Sequence, residues 1–106
     1  MSDASVLTNQ IIDFVYKQGG YAWRSSSVGV FDQQAGGYRT ASKKGVSDIL
    51  ACLKGRLIAI EVKIGADRLS SEQTGFLKNI EHVGAIAIVA KDFPNFLSCW
   101  QEKVVQ

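Results

Sequence analysis

Residues Gly45 to Lys63 read GVSDILACLKGRLIAIEVK, and this stretch decides the fold of the 106-residue chain. Two apolar segments rich in β-forming residues flank a break at Lys54-Gly55-Arg56, which predicts a β-hairpin. Charge interrupts the apolar pattern at Asp48, where the first strand opens, and at Glu61 and Lys63, where the second strand closes. These three side chains are the first candidates for a functional site.

The length of the turn decides whether the charged side chains meet. Residues two apart on a strand share a face, so Glu61 and Lys63 point the same way. If Lys54-Gly55 is a two-residue loop, Asp48 faces Glu61 directly, at roughly 4.5–5.5 Å between Cβ atoms. A three-residue loop would put the two carboxylates on opposite faces, barring a bulge. A shared site therefore requires the tight turn or a compensating bulge.

Two facing carboxylates repel each other unless something neutralises them, and a divalent cation would do so. Carboxylate oxygens suit Mg²⁺, with Mn²⁺ as a substitute, and such ions also bind substrate phosphate. If that phosphate were hydrolysed, Lys63 could orient or deprotonate the attacking water, or stabilise charge on the phosphate. An exposed hairpin can also carry a Glu–Lys pair for solubility alone. Composition leaves both interpretations of Asp48, Glu61 and Lys63 open.

Length and composition predict one soluble globular domain over residues 1–106. No apolar run approaches the roughly 18 residues of a membrane span. The start of the chain, Met1-Ser2-Asp3-Ala4, lacks the layout of a signal peptide, so we expect a cytoplasmic protein. Cys52 and Cys99 lack metal-binding spacing and are predicted to be buried, reduced thiols.

The net charge of +2 is too small to indicate nucleic-acid binding by itself, but its distribution is informative. The stretch from residue 24 to residue 45 contains one acid and four basic residues, namely Arg24, Arg39, Lys43 and Lys44. This basic stretch directly precedes Asp48, where it would steer a polyanion such as DNA toward the suspected metal. A solvated edge hairpin is the simpler alternative for the same residues.

The rest of the chain predicts an α/β arrangement around a mixed sheet. The hydrophobic periodicity and cap signals give the following order: a helix over 3–18, a strand at 21–23, a loose hairpin within 25–44, the central hairpin, a helix from about 70 to 83, a strand over 85–90 and a helix over 92–104. Trp23 and Trp100 are interpreted as core or interface anchors, although base stacking stays open for Trp23 because Arg24 follows it.

Gln73 has two interpretations. The pattern Ser70-x-x-Gln73 matches a capping box at the start of a helix. Gln73 also lies three and four residues before Phe76 and Leu77, so it shares their face and points at the sheet. There it could bind a phosphate, a metal-bound water or Lys63. The sequence does not separate the cap role from the site role.

Taken together, four segments resemble one nuclease family. They are Gly45-Val46-Ser47-Asp48, Gly55-Arg56-Leu57-Ile58-Ala59-Ile60-Glu61-Val62-Lys63, Leu69-Ser70-x-x-Gln73 and Gly84-Ala85-x-Ala87-x-Val89. In this order they are similar to the VRR-NUC family of the PD-(D/E)xK nuclease superfamily, and the resemblance spans about residues 24–90. An ordered set of this kind is far more specific than a lone E-x-K.

The resemblance implies a restriction-endonuclease-like fold with a four-stranded mixed sheet flanked by helices. By position, Asp48 and Glu61 become metal carboxylates and the backbone carbonyl of Val62 a further ligand. Lys63 becomes the catalytic lysine, and Gln73 the helix residue that supports them. Small stand-alone members resemble Holliday-junction resolvases that act as homodimers on branched DNA. The chain is most similar to this phage or bacterial type, which implies the cytoplasm of a bacterium or of a phage-infected host cell.

Two departures from the family pattern matter. Ser47 takes the place of the proline in the superfamily's name, at a position that shapes backbone. The first helix carries no glutamate of the kind that often supplies another metal ligand, which leaves one or two metals open. The main hypothesis is a metal-dependent, structure-specific DNA endonuclease. The alternatives are a non-catalytic DNA-binding module that retains the nuclease fold, and a small interaction subunit.

Overall fold

The computed structural model describes residues 2–25, 30–32, 37–39 and 45–105, with only the backbone for 30–32 and 37–39. The element order agrees with the order predicted from the sequence, and the bounds outside the two hairpins agree to within one residue. The elements are α1 Asp3–Lys17, β1 Tyr21–Arg24, β2 Val30–Asp32, β3 Gly37–Arg39, β4 Ile49–Leu53, β5 Arg56–Val62, α2 Ser71–His82, β6 Ile86–Ala90 and α3 Phe93–Lys103. Within the described ranges, no helix is long and apolar enough to cross a membrane.

Four strands form one mixed sheet in the order β1-β4-β5-β6. The pairs β1–β4 and β4–β5 are antiparallel, whereas β6 runs parallel to β5. A parallel pair needs a crossover connection, and α2 supplies it between β5 and β6. Strands β2 and β3 pair separately as a two-stranded antiparallel ribbon, within the segment where a loose hairpin is predicted.

The central hairpin has the tight turn that a shared site requires. Lys54 and Gly55 both have positive φ, 53° and 79°, as the type I′ loop of two residues demands. Leu53 therefore pairs with Arg56, and the register continues to the pair Ile49↔Ile60. No bulge intervenes between these two pairs. The register predicted from the sequence is confirmed.

The alternation of side chains along the strands builds a three-layer structure. One face of the sheet packs under α1 and α3 in a core that includes Ile49, Ile58, Ile60, Ile88, Phe96 and Trp100. The opposite face packs under α2 through a smaller cluster of Ala59, Leu77, Ile80 and Ala87. Asp48, Glu61 and Lys63 belong to the second face, because they alternate with the residues of the first.

Among the described elements, α2 packs over β5 and β6 and its cluster includes contacts with Leu50 of β4, but α2 does not cover Cys52 or the strand β1. Cys52 is consequently exposed, so the prediction of a buried thiol is wrong for it, while Cys99 is half-buried in the main core. The two tryptophans also differ. Trp100 is a core residue, as predicted, whereas Trp23 keeps 39% of its surface exposed.

Candidate active site

Asp48 lies one residue before β4 and faces Glu61, as the register requires. Its backbone carbonyl accepts a hydrogen bond from the Ser25 N–H at 2.9 Å. Its carboxylate oxygen Oδ2 accepts a second hydrogen bond, from the Val62 N–H at 2.8 Å. The Asp48 side chain thus binds β5 just beyond the last backbone pair of β4 and β5. The preceding residue, Ser47, is fully buried, and nothing described in the structure explains its unpaired hydroxyl.

Glu61 is fully buried, with 0% of its surface exposed. Its Oε1 accepts a hydrogen bond from Nε2 of Gln73 at 3.2 Å. Its Oε2 is buried and has no hydrogen-bond partner in the described part of the chain. A buried carboxylate oxygen without a donor is costly if the group is charged, so this oxygen calls for a proton or a cation.

The pKa of Glu61 is raised from 4.5 to about 8, chiefly by burial and then by Asp48, through a hydrogen bond to the protonated carboxyl and through charge repulsion. The positive charge of Lys63 acts in the opposite direction and lowers the pKa. The raised pKa therefore favours a protonated Glu61 in the metal-free protein near neutral pH. The two facing carboxyl groups also offer oxygen atoms that a cation can bind in place of the Glu61 proton.

Gln73 caps α2 and also contacts the candidate site, where its partner is Glu61 and not the phosphate, metal-bound water or Lys63 considered from the sequence. Its Oε1 accepts the Ser70 N–H at 2.8 Å, and the Ser70 hydroxyl accepts the Gln73 N–H at 3.1 Å, which completes the capping box. Its Nε2 meanwhile donates to Glu61. The amide thus ties the first turn of α2 to the carboxylate on β5, and a single side chain serves the helix and the site.

Lys63 follows directly after β5 and stays in the ladder, because its N–H donates to the Ala90 carbonyl at 2.9 Å. It lies two residues beyond Glu61, so both side chains occupy the same face. Lys63 is half-buried, and its charge acts on Glu61. The structure therefore brings together Asp48, Glu61, Lys63 and Gln73.

Gly45 packs beside the site, and the sequence indicated no role for it. Its φ is +83°, and a Cβ at this position would overlap the Glu72 carbonyl oxygen in the first turn of α2. The backbone that leads into Asp48 thus touches the same helical turn that carries Gln73. The available signal was a glycine three residues before Asp48, but only the packing of α2 shows why glycine is needed there.

The predicted DNA-binding residues have different outcomes. Arg24 is exposed at the end of β1 and donates from Nη2 to Oδ1 of Asn9 at 2.9 Å. The backbone of Arg39 forms part of β3, but its side chain lies outside the described residues, as do Lys43 and Lys44 entirely. Of the predicted basic stretch, the structure therefore positions the Arg24 side chain alone.

The oxygen atoms at the site fit a divalent cation. Oε2 of Glu61 is unpaired, Asp48 faces it, and the Val62 carbonyl lies on the Asp48 side of β5, because the N–H and C=O of an extended residue point the same way. Mg²⁺ accepts such a set, since it retains several waters. Among the described residues, no group of three or more His, Cys, Asp or Glu side chains forms a fuller ligand set.

The mixed four-stranded sheet with α1 and α3 on one face and α2 on the other is a restriction-endonuclease-like fold. The structure is similar to that of Hjc, a Holliday junction resolvase from the archaeal hyperthermophile Archaeoglobus fulgidus, with a TM-score of 0.57 and 26% sequence identity. The similarity covers 85% of this chain and 69% of the resolvase. No protein-family model and no curated protein matches the sequence. The similarity supports the PD-(D/E)xK nuclease superfamily, and the VRR-NUC family within it stays a prediction.

Proposed function

We propose that this chain is a divalent-metal-dependent DNA endonuclease that hydrolyses phosphodiester bonds in branched DNA of the Holliday-junction type. The observation that carries the proposal is the unpaired, fully buried Oε2 of Glu61 facing Asp48. A purely structural carboxylate in this position would be expected to have a permanent donor. The similarity to an archaeal Holliday junction resolvase supports the same conclusion.

Each residue of the site has a part in the proposed reaction. Asp48, Glu61 and the Val62 carbonyl hold Mg²⁺, or Mn²⁺ in its place. The chemistry that such an ion supplies is Lewis-acid activation of the phosphoryl oxygen and of the attacking water. Lys63 orients that water or stabilises charge on the phosphate from the same face. Gln73 fixes one oxygen of Glu61, so that the other stays directed at the site.

The same comparison supports the proposed substrate, and the shape of that substrate motivates the proposed assembly. The resolvase that the structure resembles acts on Holliday junctions, and we propose junction or otherwise branched DNA for this chain. A homodimer with two-fold symmetry would present two sites to two strands of a junction. Arg24, together with Arg39, Lys43 and Lys44, would contact the phosphate backbone, which makes binding dependent on salt.

The test uses a labelled four-way junction, a flap and a linear duplex, each incubated with Mg²⁺, Mn²⁺ or EDTA. We expect cleavage of a branched substrate with either metal, none in EDTA, and none by Glu61→Ala. The matched control is Asp13→Asn, which removes an exposed carboxylate paired with Lys17 on α1 and should cleave like the wild type. Unchanged cleavage by Glu61→Ala, or no metal-dependent cleavage of any substrate, would contradict the proposal.

The same assay decides between an enzyme and a binding module. Tight binding of the junction in a gel-shift experiment without cleavage would favour a non-catalytic module that retains the nuclease fold. The alternative is motivated by α1, which carries no glutamate that could serve as a further metal ligand. Of its other polar side chains, Asn9 accepts a hydrogen bond from Arg24, and Asp13 forms an ion pair with Lys17 at 2.9 Å. Neither side chain takes the place of the additional carboxylate ligand found in related nucleases.

A further inference from the structure

Three exposed aromatic rings form a row along the free edge of the sheet. Tyr21 and Trp23 lie two residues apart on β1 with ring centroids 5.7 Å apart, and Tyr16 of α1 meets Tyr21 edge-on, also at 5.7 Å. Their exposed fractions are 46% for Tyr16, 64% for Tyr21 and 39% for Trp23. We call these three residues the aromatic ladder. Nothing in the proposed reaction uses it.

The aromatic ladder leads to the candidate active site. Trp23 pairs with Leu50, and Asp48 lies two residues before Leu50, so Trp23 and Asp48 share the face that carries Glu61. The bond from the Ser25 N–H to the Asp48 carbonyl continues the β1–β4 pairing to the site itself. Diagonal neighbours of this kind lie roughly 7–8 Å apart, within reach of a large side chain or a bound base.

The edge of β1 is poorly suited to a second copy of the chain. Because Ser25 and Asp48 are bonded, the alternate residues Ala22 and Arg24 direct their backbone groups outward. The Ala22 carbonyl is already occupied, since Tyr16 Oη donates to it at 2.9 Å, and this contact obstructs the addition of another strand. At ~150–250 Å² for each whole aromatic side chain, the three rings expose only about 300 Å². A stable protein interface needs about 800 Å² from each partner.

We infer that the aromatic ladder binds unpaired nucleobases of the substrate strand beside the scissile phosphate. A flat base fits a small row of exposed rings, and stacking of this kind tolerates any sequence. Bases in a duplex are already stacked on one another, so the ladder selects a strand that is locally single. This inference rests on the proposed function and narrows its substrate to branched DNA whose bases are unpaired or unstacked at the branch point, beside the cleaved bond.

The first test measures binding in EDTA, where the proposed cleavage does not occur. The chain has two tryptophans, and only Trp23 is exposed, because Trp100 is 3% exposed in the core. A mixed-sequence single strand should quench the accessible tryptophan emission and protect it from iodide, whereas a duplex of the same length should leave it unchanged. Quenching of equal size by both DNAs would contradict selection of unpaired bases.

The second test removes the ring. Trp23→Leu should lower the affinity for the single strand by about 5- to 100-fold and the affinity for the duplex by no more than about twofold. The slope of log affinity against log salt should stay the same, because the substitution changes no charge. Tyr21→Leu should give a smaller loss, and Trp23→Phe should restore part of the affinity. Val83→Ala, which alters an 80% exposed side chain away from the ladder, is the matched control.

Three results separate the outcomes. Unchanged single-strand affinity in both Trp23→Leu and Tyr21→Leu, with circular dichroism and thermal melting like the wild type, overturns the inference. Loss of self-association by Trp23→Leu in sedimentation, with single-strand binding intact, also overturns it and assigns the ladder to a second copy. Single-strand binding that depends on Trp23 in a protein that cleaves nothing supports the ladder while the proposed nuclease function fails.

Discussion

Replacing Glu61 by glutamine should make the metal-free protein more stable at high pH while abolishing its response to Mg²⁺. The substitution keeps the shape of the side chain and removes its ability to ionise. The reason for the expected gain is the pKa of Glu61, which burial and then Asp48 raise to about 8. Glutamine mimics the protonated form at every pH, and its amide can donate to Asp48 as the proton of Glu61 does.

The sign and size of the effect follow from proton linkage. A carboxyl group whose pKa is raised in the folded state binds its proton more tightly there, so its contribution to stability is complete below the unfolded value of 4.5 and is lost as the pH rises through about 8. Each pH unit in that window costs about 1.4 kcal/mol, which sets a ceiling of roughly 5 kcal/mol. Asp48 and Lys63 are only half-buried, so water reaching the site reduces this, and we expect about 2 kcal/mol or more.

The assay is urea unfolding in EDTA from about pH 5 to about pH 9, for the wild type and Glu61→Gln. The stability of the wild type should fall relative to the variant as the pH rises, and the difference between the two curves isolates Glu61 from the other carboxyl groups. Adding Mg²⁺ at the upper pH should restore the stability of the wild type and leave Glu61→Gln unchanged. Asp13→Asn, at a side chain 66% exposed, should follow the wild type throughout.

A flat difference curve across this range would refute the reasoning, because it would mean that Glu61 is not held protonated by its surroundings. Equal stabilisation of both proteins by Mg²⁺ would place the bound ion elsewhere. A variant less stable than the wild type at every pH would show that glutamine disturbs the packing, and Glu61→Ala would then repeat the comparison without an amide. Each result bears on the proton and the ion separately.

Further predictions concern the contacts that shape the site and the binding of DNA. Gln73→Glu keeps the cap acceptor but replaces the donor to Glu61 by a carboxylate, so it should lower stability in EDTA by roughly 1–2 kcal/mol and recover in Mg²⁺, as measured by thermal melting. Gly45→Ala should cost roughly 2–4 kcal/mol and most of the cleavage activity, whereas Gly55→Ala, with a similar φ of +79° and no atom within 4 Å of a new Cβ, should cost about 1–2 kcal/mol and leave activity intact. Arg24→Ala should weaken duplex and single-strand binding alike and reduce the salt slope by about one.

The sequence predicted the parts of the site that depend on strand periodicity and turn length. A two-residue loop at Lys54-Gly55 fixes the register through local chemistry alone, and the register then brings Asp48 to Glu61. The cap formed by Gln73 and the direction of its side chain toward the sheet were also predictable, because the cap pattern and the helical face are local features. These inferences hold because each depends on residues that are close in the chain.

The sequence could not predict what depends on how elements pack over one another. The overlap of Gly45 with the first turn of α2 joins residues far apart in the chain, and a glycine alone does not state what approaches it. The exposure of Cys52 and Trp23 arises because α2 covers only part of the sheet face on which it packs. No periodicity in the sequence of β1 or β4 indicates this. The environment of Glu61 likewise arises from burial by several elements together.

Three separate contacts set the shape of the site, and none of them involves a metal. Val62 holds the Asp48 carboxylate through its N–H, Gln73 holds one oxygen of Glu61, and Gly45 brings the backbone before Asp48 against the turn that carries Gln73. The carboxyl groups are therefore in register before any ion binds, and the remaining unfavourable interaction is electrostatic, because Asp48 repels a charged Glu61. A bound ion would therefore neutralise the negative charge of the two carboxylates and would not be needed to bring them together. For that reason a neutral side chain at position 61 should preserve the fold and lose the ion.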